Sequence, residues 1–493
     1  MRALSSIAWT AIFATLPLAA RAQTIRLEAE TASLTGPDLK VVPAPSTGSG
    51  LASNISGGGY ITGFQTDADQ AIFHPKSKTG GLYKLAIGYR SAGRKGYEVE
   101  VNGLKLAGTM ESTPGERFGV QPLGAVELEP GQNTVTLHKG WGFYDVDYIE
   151  LTPTGPPVPP TRPTSPPSDP RVTAEAAALL TGLDDAYGKT TMVGVYKDRD
   201  AQYALDQTGA RPTIMGGDLL AYSPQEVAHG THPERTAEVE RLIDDAREGY
   251  IITMSWHWCS PSGMLDTKEE PWFKCFYTEA TRFDVANALA DPSSSDYALL
   301  LSDIDTIAIQ LRKLQDAHVP VLWRPLHEAE GGWFWWGAKG PKPFIQLWQL
   351  LYDRLTKTNG IHNLIWVYTS GGDPAWYPGD AYVDVVGIDA YPKDLRDPEN
   401  ALWDILRKQY GDRKILTISE FGGVPDIPRM QRMGEFWSYA VSWSDDLGPK
   451  KNSPEELKRI YANSGVATLP ALAQPTSLTV DDAPKTPPAA AQK

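Results

Sequence analysis

Pro320-Val321-Leu322-Trp323-Arg324-Pro325-Leu326-His327-Glu328-Ala329-Glu330-Gly331-Gly332-Trp333-Phe334-Trp335-Trp336-Gly337 is the run on which the reading of this chain turns. It begins as a short apolar strand, 320–324, and then delivers acidic side chains into a glycine-flanked cluster of large rings. Before it, Leu299, Leu300, Ile304, Ile307, Leu311 and Leu314 recur at helical spacing, and after it Phe344, Leu347, Leu351 and Leu355 do the same. A strand set between two amphipathic helices is one unit of a parallel α/β fold.

The unit repeats. Strand-like runs stand at 192–196, 212–216, 250–255, 320–324, 364–368, 383–388, 414–419 and 439–443, with helical patterns between them. Eight strands alternating with helices over roughly 300 residues predict a (β/α)8 barrel, whose chemistry sits at the C-terminal ends of the strands. The seventh run, Lys414-Ile415-Leu416-Thr417-Ile418-Ser419, ends in Glu420-Phe421-Gly422-Gly423, a second carboxylate delivered to a glycine-rich loop.

Strands four and seven face each other across a barrel mouth, which makes Glu328 and Glu420 a candidate catalytic pair. Two carboxyls about 5–5.5 Å apart serve a retaining glycosidase, whereas a wider gap leaves room for the water of an inverting one. Glu420 is assigned as nucleophile and Glu328 as acid/base, since an acid held partly desolvated stays protonated. Thirteen of the fifteen Trp lie beyond residue 170, and flat indoles bind the C–H faces of pyranose rings. Trp333, Trp335, Trp336 and Trp443 are therefore read as platforms at the rim. Tyr391, after the sixth strand, is placed to hydrogen-bond the nucleophile, and His257 in Ser255-Trp256-His257-Trp258 to meet a sugar hydroxyl. The His327-Glu328 pair is not a zinc-protease helix, because the fourth residue after His327 is Gly331 and the context is a strand.

Outside the barrel the chain divides by composition. Residues 1–22 combine Arg2, an apolar stretch over 7–18 and Ala20-Arg21-Ala22, the pattern of a cleaved secretory signal peptide. Residues 23–151 read as short strands at 25–30, 82–89, 96–101, 125–128, 133–138 and 146–151, which predict a β-sandwich. Residues 152–170 are a Pro-rich linker, expected to run as a semi-rigid spacer. The catalytic barrel is placed at 171–466, and 467–493 is expected to be a disordered tail.

The net charge of −14 argues against nucleic acid as partner. No later stretch is apolar for long enough to span a bilayer, so a released, extracellular monomer is expected. Cys259 and Cys275 are the only cysteines, and in an oxidising compartment they should pair, worth about 3 kcal/mol in the chain-entropy model. Asn54-Ile55-Ser56 is the one N-glycosylation sequon.

The catalytic region resembles glycoside hydrolase family 26, the β-mannanases among the retaining (β/α)8 enzymes. The likeness lies in the His327-Glu328 run with its aromatics, Phe276-Tyr277-Thr278 to Phe283-Asp284, Asp384 to Tyr391, Glu420-Phe421-Gly422-Gly423 and Trp443. It implies an endo-β-1,4-mannanase acting on the mannan, glucomannan and galactomannan of plant cell walls, without a catalytic cofactor. His257, His327, Trp333, Asp384, Tyr391 and Trp443 would line the site. The family commonly has Asn where this chain has Glu330, which opens Glu330 as a rival acid. Many barrels of the clan place Asn before the acid, and His327 in that place suits the axial 2-hydroxyl of mannose. The alternatives are a retaining glycanase for xylan or β-glucan, or a polysaccharide-binding protein without catalysis.

The N-terminal unit resembles a carbohydrate-binding module of family 35, through Leu27-Glu28-Ala29-Glu30 and Trp141-Gly142-Phe143-Tyr144-Asp145-Val146-Asp147-Tyr148-Ile149-Glu150-Leu151. Glu28, Glu30 and Asp147 offer hard oxygens for a structural Ca²⁺. Trp141 and Tyr60 are the expected sugar contacts.

Overall fold

The computed structural model describes residues 23–45, 54–115, 117–163 and 165–471. The expected leader at 1–22 and nearly all of the expected tail lie outside the described residues. Two compact units divide near Pro156.

The C-terminal unit is the eight-stranded barrel. Its strands are β1 (Thr191–Val195), β2 (Ile214–Asp218), β3 (Ile251–Trp256), β4 (Val321–Pro325), β5 (Leu364–Thr369), β6 (Val385–Ala390), β7 (Ile415–Phe421) and β8 (Tyr439–Ser442). Neighbours pair in parallel in sequence order, and β1 pairs with both β2 and β8, which closes the ring and leaves no free edge. All eight strands expected from the sequence are present, displaced by a residue or two at their ends.

The helix before β4 spans Ser295–Asp316 and is capped by Ser294, whose side chain accepts the N–H of Tyr297. Leu300, Ile304, Ile307, Leu311 and Leu314 along it are fully buried, each contributing roughly 2 kcal/mol of apolar transfer. Leu299 does not share that face: it stands about 100° around the helix from Leu300 and is exposed. After β4, Pro341–Asp353 buries Phe344, Leu347, Trp348 and Leu351, and a single π-helical turn, Arg354–Thr358, extends it.

From residue 157 the Pro-rich segment belongs with the barrel unit. Arg162 pairs with Asp185 at 3.1 Å, the hydroxyl of Tyr352 donates to the carbonyl of Ser168, and Ser168 donates from its backbone N and hydroxyl to Asp384. Prolines remove donors but not carbonyls or side chains, so such a segment can still be tethered.

The N-terminal unit is a sandwich of two antiparallel sheets. One orders Gly119–Leu128, Gly81–Arg90, Asp145–Pro153, Gly59–Thr62 and Lys40–Pro43, with Ile25–Glu28 also on Asp145–Pro153. The other orders Ser33–Thr35, Gln70–Phe73, Val135–His138, Lys95–Val101 and Leu104–Met110. Alternation along the central strands buries Leu85, Ile87, Val99, Leu137, Val146 and Ile149 between them. Several short strands, Gly59–Thr62 and Gln70–Phe73 among them, escaped the sequence reading because four residues carry too little alternation. The side chain of Asn54 is engaged at both ends, its amide donating to the carbonyl of Phe118 at 2.6 Å and its oxygen accepting the N–H of Phe118.

Candidate active site

Arg324 stands near the C-terminal end of β4 and is wholly buried. A guanidinium so placed must be paired. Its three partners come from three other strands or their ends: Asp389 of β6 at 2.6 Å, Glu420 of β7 at 2.5 Å and the hydroxyl of Tyr196, after β1, at 3.0 Å.

The orientation of Glu420 depends on a slip in register. Ile388 lies opposite Ile418, yet Asp389 lies opposite Glu420, so Ser419 is the extra residue of a β-bulge. Without it, period-two alternation would turn Glu420 to the face opposite Asp389. The Ser419 hydroxyl donates to Asp389 at 2.8 Å and ties the bulge to β6. Tyr391 donates its hydroxyl to the second oxygen of Glu420. Both oxygens of Glu420 thus accept hydrogen bonds, which fixes the carboxylate's direction.

Glu328 is aimed by backbone in the left-handed region, φ 51° at Leu326 and 54° at Glu328. Such conformations cost on the order of 1–3 kcal/mol each and persist only where neighbours enforce them. The Trp336 indole donates to the carbonyl of His327 at 2.9 Å, and the N–H of Gly331 to that of Glu328 at 3.1 Å. The Trp333 indole then donates to the Glu328 carboxylate at 2.9 Å. Burial first, and the charge of Glu420 second, raise the Glu328 carboxyl above the usual carboxylate range. One oxygen from each of Glu328, Asp389 and Glu420 lies within 4.8 Å of the others.

Beside this pair, His257 ends β3 with Nδ1 at 2.7 Å from Asp218 of β2. Burial alone would lower the pKa of His257, but the Asp218 carboxylate outweighs it and the net shift is upward. His327, edge-on to His257 at 4.6 Å, is pushed well below the ordinary imidazole value by burial and by the positive charge of Arg324, so it is neutral. A cleft of about 450 Å³ opens here, lined by Tyr196, Asp218, His257, Phe276, Tyr277 and Trp443 among others. The loop carrying Phe276 and Tyr277 is stapled at its base by the Cys259–Cys275 disulfide.

Of the residues singled out from the sequence, Glu328, Glu420, His257, His327, Trp333, Tyr391 and Trp443 come together at the C-terminal mouth. Trp333 is 48% exposed and Tyr391 42%, so both are open to solvent at the mouth. Asp384 does not join them. It precedes β6, at the opposite end of the barrel, and accepts the N–H groups of Trp366 at 2.8 Å and Ser168 at 2.6 Å. Asp389, five residues on, holds the position expected of Asp384, and strand direction alone would have selected it. Trp335 and Trp336 are likewise corrected: both are buried, and their indole N–H groups bond carbonyls of Trp258 and His327. Arg324, Tyr196 and Asp218 were missed, although an arginine inside an apolar strand is itself a signal that acids face it.

In the sandwich, Trp141 is 62% exposed on the loop before Asp145–Pro153 and leans on Gly96, where any Cβ would collide with the indole. Tyr60 lies on Gly59–Thr62, in the sheet of Asp145–Pro153, half-buried, with the Arg90 guanidinium 4.8 Å over its ring. A cleft of about 420 Å³ is lined by Thr62, Gln65, Arg90, Phe143 and Asp145 among others, and Phe143 is 59% exposed. Glu28 and Asp147 both accept the Ser56 hydroxyl, at 2.6 and 3.0 Å. Glu30 accepts the N–H of Gly58 with one oxygen, while its Oε2 is buried and has no hydrogen-bond partner among the described residues. The three acids do not close into a single 4.8 Å group.

The sequence profile of glycosyl hydrolase family 26 matches residues 168–469, and that of carbohydrate binding module family 35 matches 25–154. The chain is 41% identical to a mannan endo-1,4-beta-mannosidase of Thermothelomyces thermophilus over 90% of this chain and 89% of that one. It is 28% identical to mannan endo-1,4-beta-mannosidase B of a Piromyces species over 91% of this chain and 77% of that one. Among solved structures, a GH26-CBM35 beta-(1,4)-mannanase of Podospora anserina superposes with a TM-score of 0.64 at 38% identity, covering 90% of this chain and 98% of that one.

Proposed function

The chain belongs to glycosyl hydrolase family 26, and on that premise we propose that it is a secreted endo-β-1,4-mannanase that cleaves mannan, glucomannan and galactomannan backbones with retention of configuration. One observation carries the mechanism: oxygens of Glu328 and Glu420 approach within 4.8 Å across the mouth. That approach supports the close pairing of a retaining enzyme, whose carboxyls stand about 5–5.5 Å apart, over the wider gap of an inverting one.

Glu420, aimed by Arg324 and Tyr391, attacks the anomeric carbon. As the C–O bond to the leaving sugar breaks, Glu328 gives its proton to the glycosidic oxygen. A covalent mannosyl-enzyme results, and Glu420 no longer carries the charge that helped hold the Glu328 proton. Glu328, left ionised by that transfer, therefore stays a carboxylate and takes a proton from the water that attacks the same carbon from the vacated side, releasing Glu420. Two carboxylates complete the cycle without a cofactor. The neutral His327, whose buried Nδ1 is unpartnered among the described residues, supports a role beside the axial 2-hydroxyl of mannose. Proton NMR during early hydrolysis of mannohexaose checks the stereochemistry: the first-formed product should be the β-anomer, and an initial α-product would sink the nucleophile assignment.

For the sandwich we propose mannan binding with Trp141 as a contact, Tyr60 and the Arg90–Phe143 cleft supplying further ones, and Ca²⁺ held by Glu28, Glu30 and Asp147. The orphaned oxygen of Glu30 and the upward shift of Asp147, caused mainly by burial, both suit a cation there. Retention of the intact protein on insoluble mannan should fall with Trp141→Ala and with chelator, and calcium should restore the second loss. Unchanged retention in both arms would remove the binding role. Export is supported by the leader-like residues 1–22 and by the disulfide; no helix among the described residues is long and apolar enough to cross a membrane.

A further inference from the structure

The turn that carries Glu328 is tethered on its far side by a residue the catalytic cycle does not use. Glu330, two positions on, is half-buried, and its oxygens are taken up by the loop that follows β5. Oε1 accepts the N–H of Gly371 at 2.6 Å, and Oε2 that of Asp373 at 3.2 Å. The hydroxyls of Tyr368 and Ser370 stand 3.4 Å from Oε1. The fit is close: a Cβ on Gly371 would come within 2.7 Å of Glu330 Oε2 and would push that carboxylate aside.

We propose that Glu330 is a positioning residue for the proton transfer, clasping the acid-bearing turn to the loop at the end of the next strand so that Glu328 points at the glycosidic oxygen. The proposal rests on the reading of Glu328 as the acid. Its physical basis is the left-handed backbone at Leu326 and Glu328, which needs outside support to persist. Trp336 and Trp333 hold the turn from the aromatic side, while Glu330 holds it from the β5 side. With the clasp gone the turn is free to relax, and a displacement of about 1 Å at a reacting group costs roughly 10²-fold in rate.

The test compares two substrates in the full-length enzyme. Mannopentaose has a poor leaving group that must be protonated, whereas 2,4-dinitrophenyl β-mannobioside reaches the glycosyl-enzyme without an acid. Glu330→Ala should lower kcat/KM on mannopentaose by roughly 10- to 100-fold and leave kcat/KM on the dinitrophenyl substrate near the parent value. Glu330→Gln should fall between, because its amide oxygen can still accept the Gly371 N–H while its NH₂ faces the donor of Asp373. Tyr368→Phe, which keeps the packing and removes one donor, should show the same split more weakly, and it serves if Glu330→Ala does not fold. Equal losses on both substrates, or none on either, would overturn the clasp. Azide rescue at Glu330→Ala with none at Glu328→Ala would overturn the reading of Glu328 as the acid instead, so the two failures are distinguishable.

Discussion

Glu420→Ala is expected to abolish mannan hydrolysis, with kcat reduced on the order of 10⁴- to 10⁶-fold, the loss typical of removing a member of a covalent catalytic unit. Asp389 is a nearby carboxylate, but both of its oxygens are engaged, by Arg324 and by the Ser419 hydroxyl. The substitution should leave the barrel folded, because the Arg324 guanidinium keeps Asp389 and the Tyr196 hydroxyl as partners and is not stranded as a lone buried charge. Binding should survive too, since the aromatic faces of Trp333 and Trp443 and the His257–Asp218 pair are untouched. Melting temperature, calorimetric affinity for mannohexaose and product release, measured on one preparation, check this. A variant that keeps more than a small fraction of parental kcat, with the fold intact, would remove Glu420 from the nucleophile's role.

Glu328→Ala is expected to lose 10²- to 10⁴-fold on mannan, the usual worth of general acid/base catalysis. The loss should depend on the leaving group. An activated aryl mannoside departs without protonation, so glycosylation proceeds and the covalent intermediate accumulates, because the water then lacks its base. Azide needs no base, and it should restore turnover of the aryl substrate by giving the β-mannosyl azide. Mass spectrometry of the stalled enzyme and NMR of the azide product read these outcomes. Uniform loss on every substrate, with no azide product, would mean that Glu328 shapes the site without transferring a proton. The upward shift of Glu328, by burial and by the charge of Glu420, is consistent with an acid that holds its proton until the glycosidic oxygen takes it.

The barrel was legible because it is written in local periodicity. Leu300, Ile304, Ile307, Leu311 and Leu314 mark a helix with one buried face, and 320–324 and 414–419 mark strands with no polar face, each within a window shorter than one element. Strand direction then placed Glu328 and Glu420 at one end of the molecule. The sequence by itself therefore determined the fold and the strand ends at which Glu328 and Glu420 stand. Tertiary structure decided what depends on residues far apart in the chain. The bulge at Ser419 that turns Glu420 inward exists only against β6, and the left-handed turn at Glu328 only against Trp336 and the β5 loop. Arg324 reads as an oddity in its strand until Asp389, Glu420 and Tyr196 arrive from three other elements to neutralise and bond it. Whether a tryptophan is exposed, like Trp333, or core, like Trp335 and Trp336, is settled by what packs over it, and neighbouring residues with the same side chain carry no local sign of that difference.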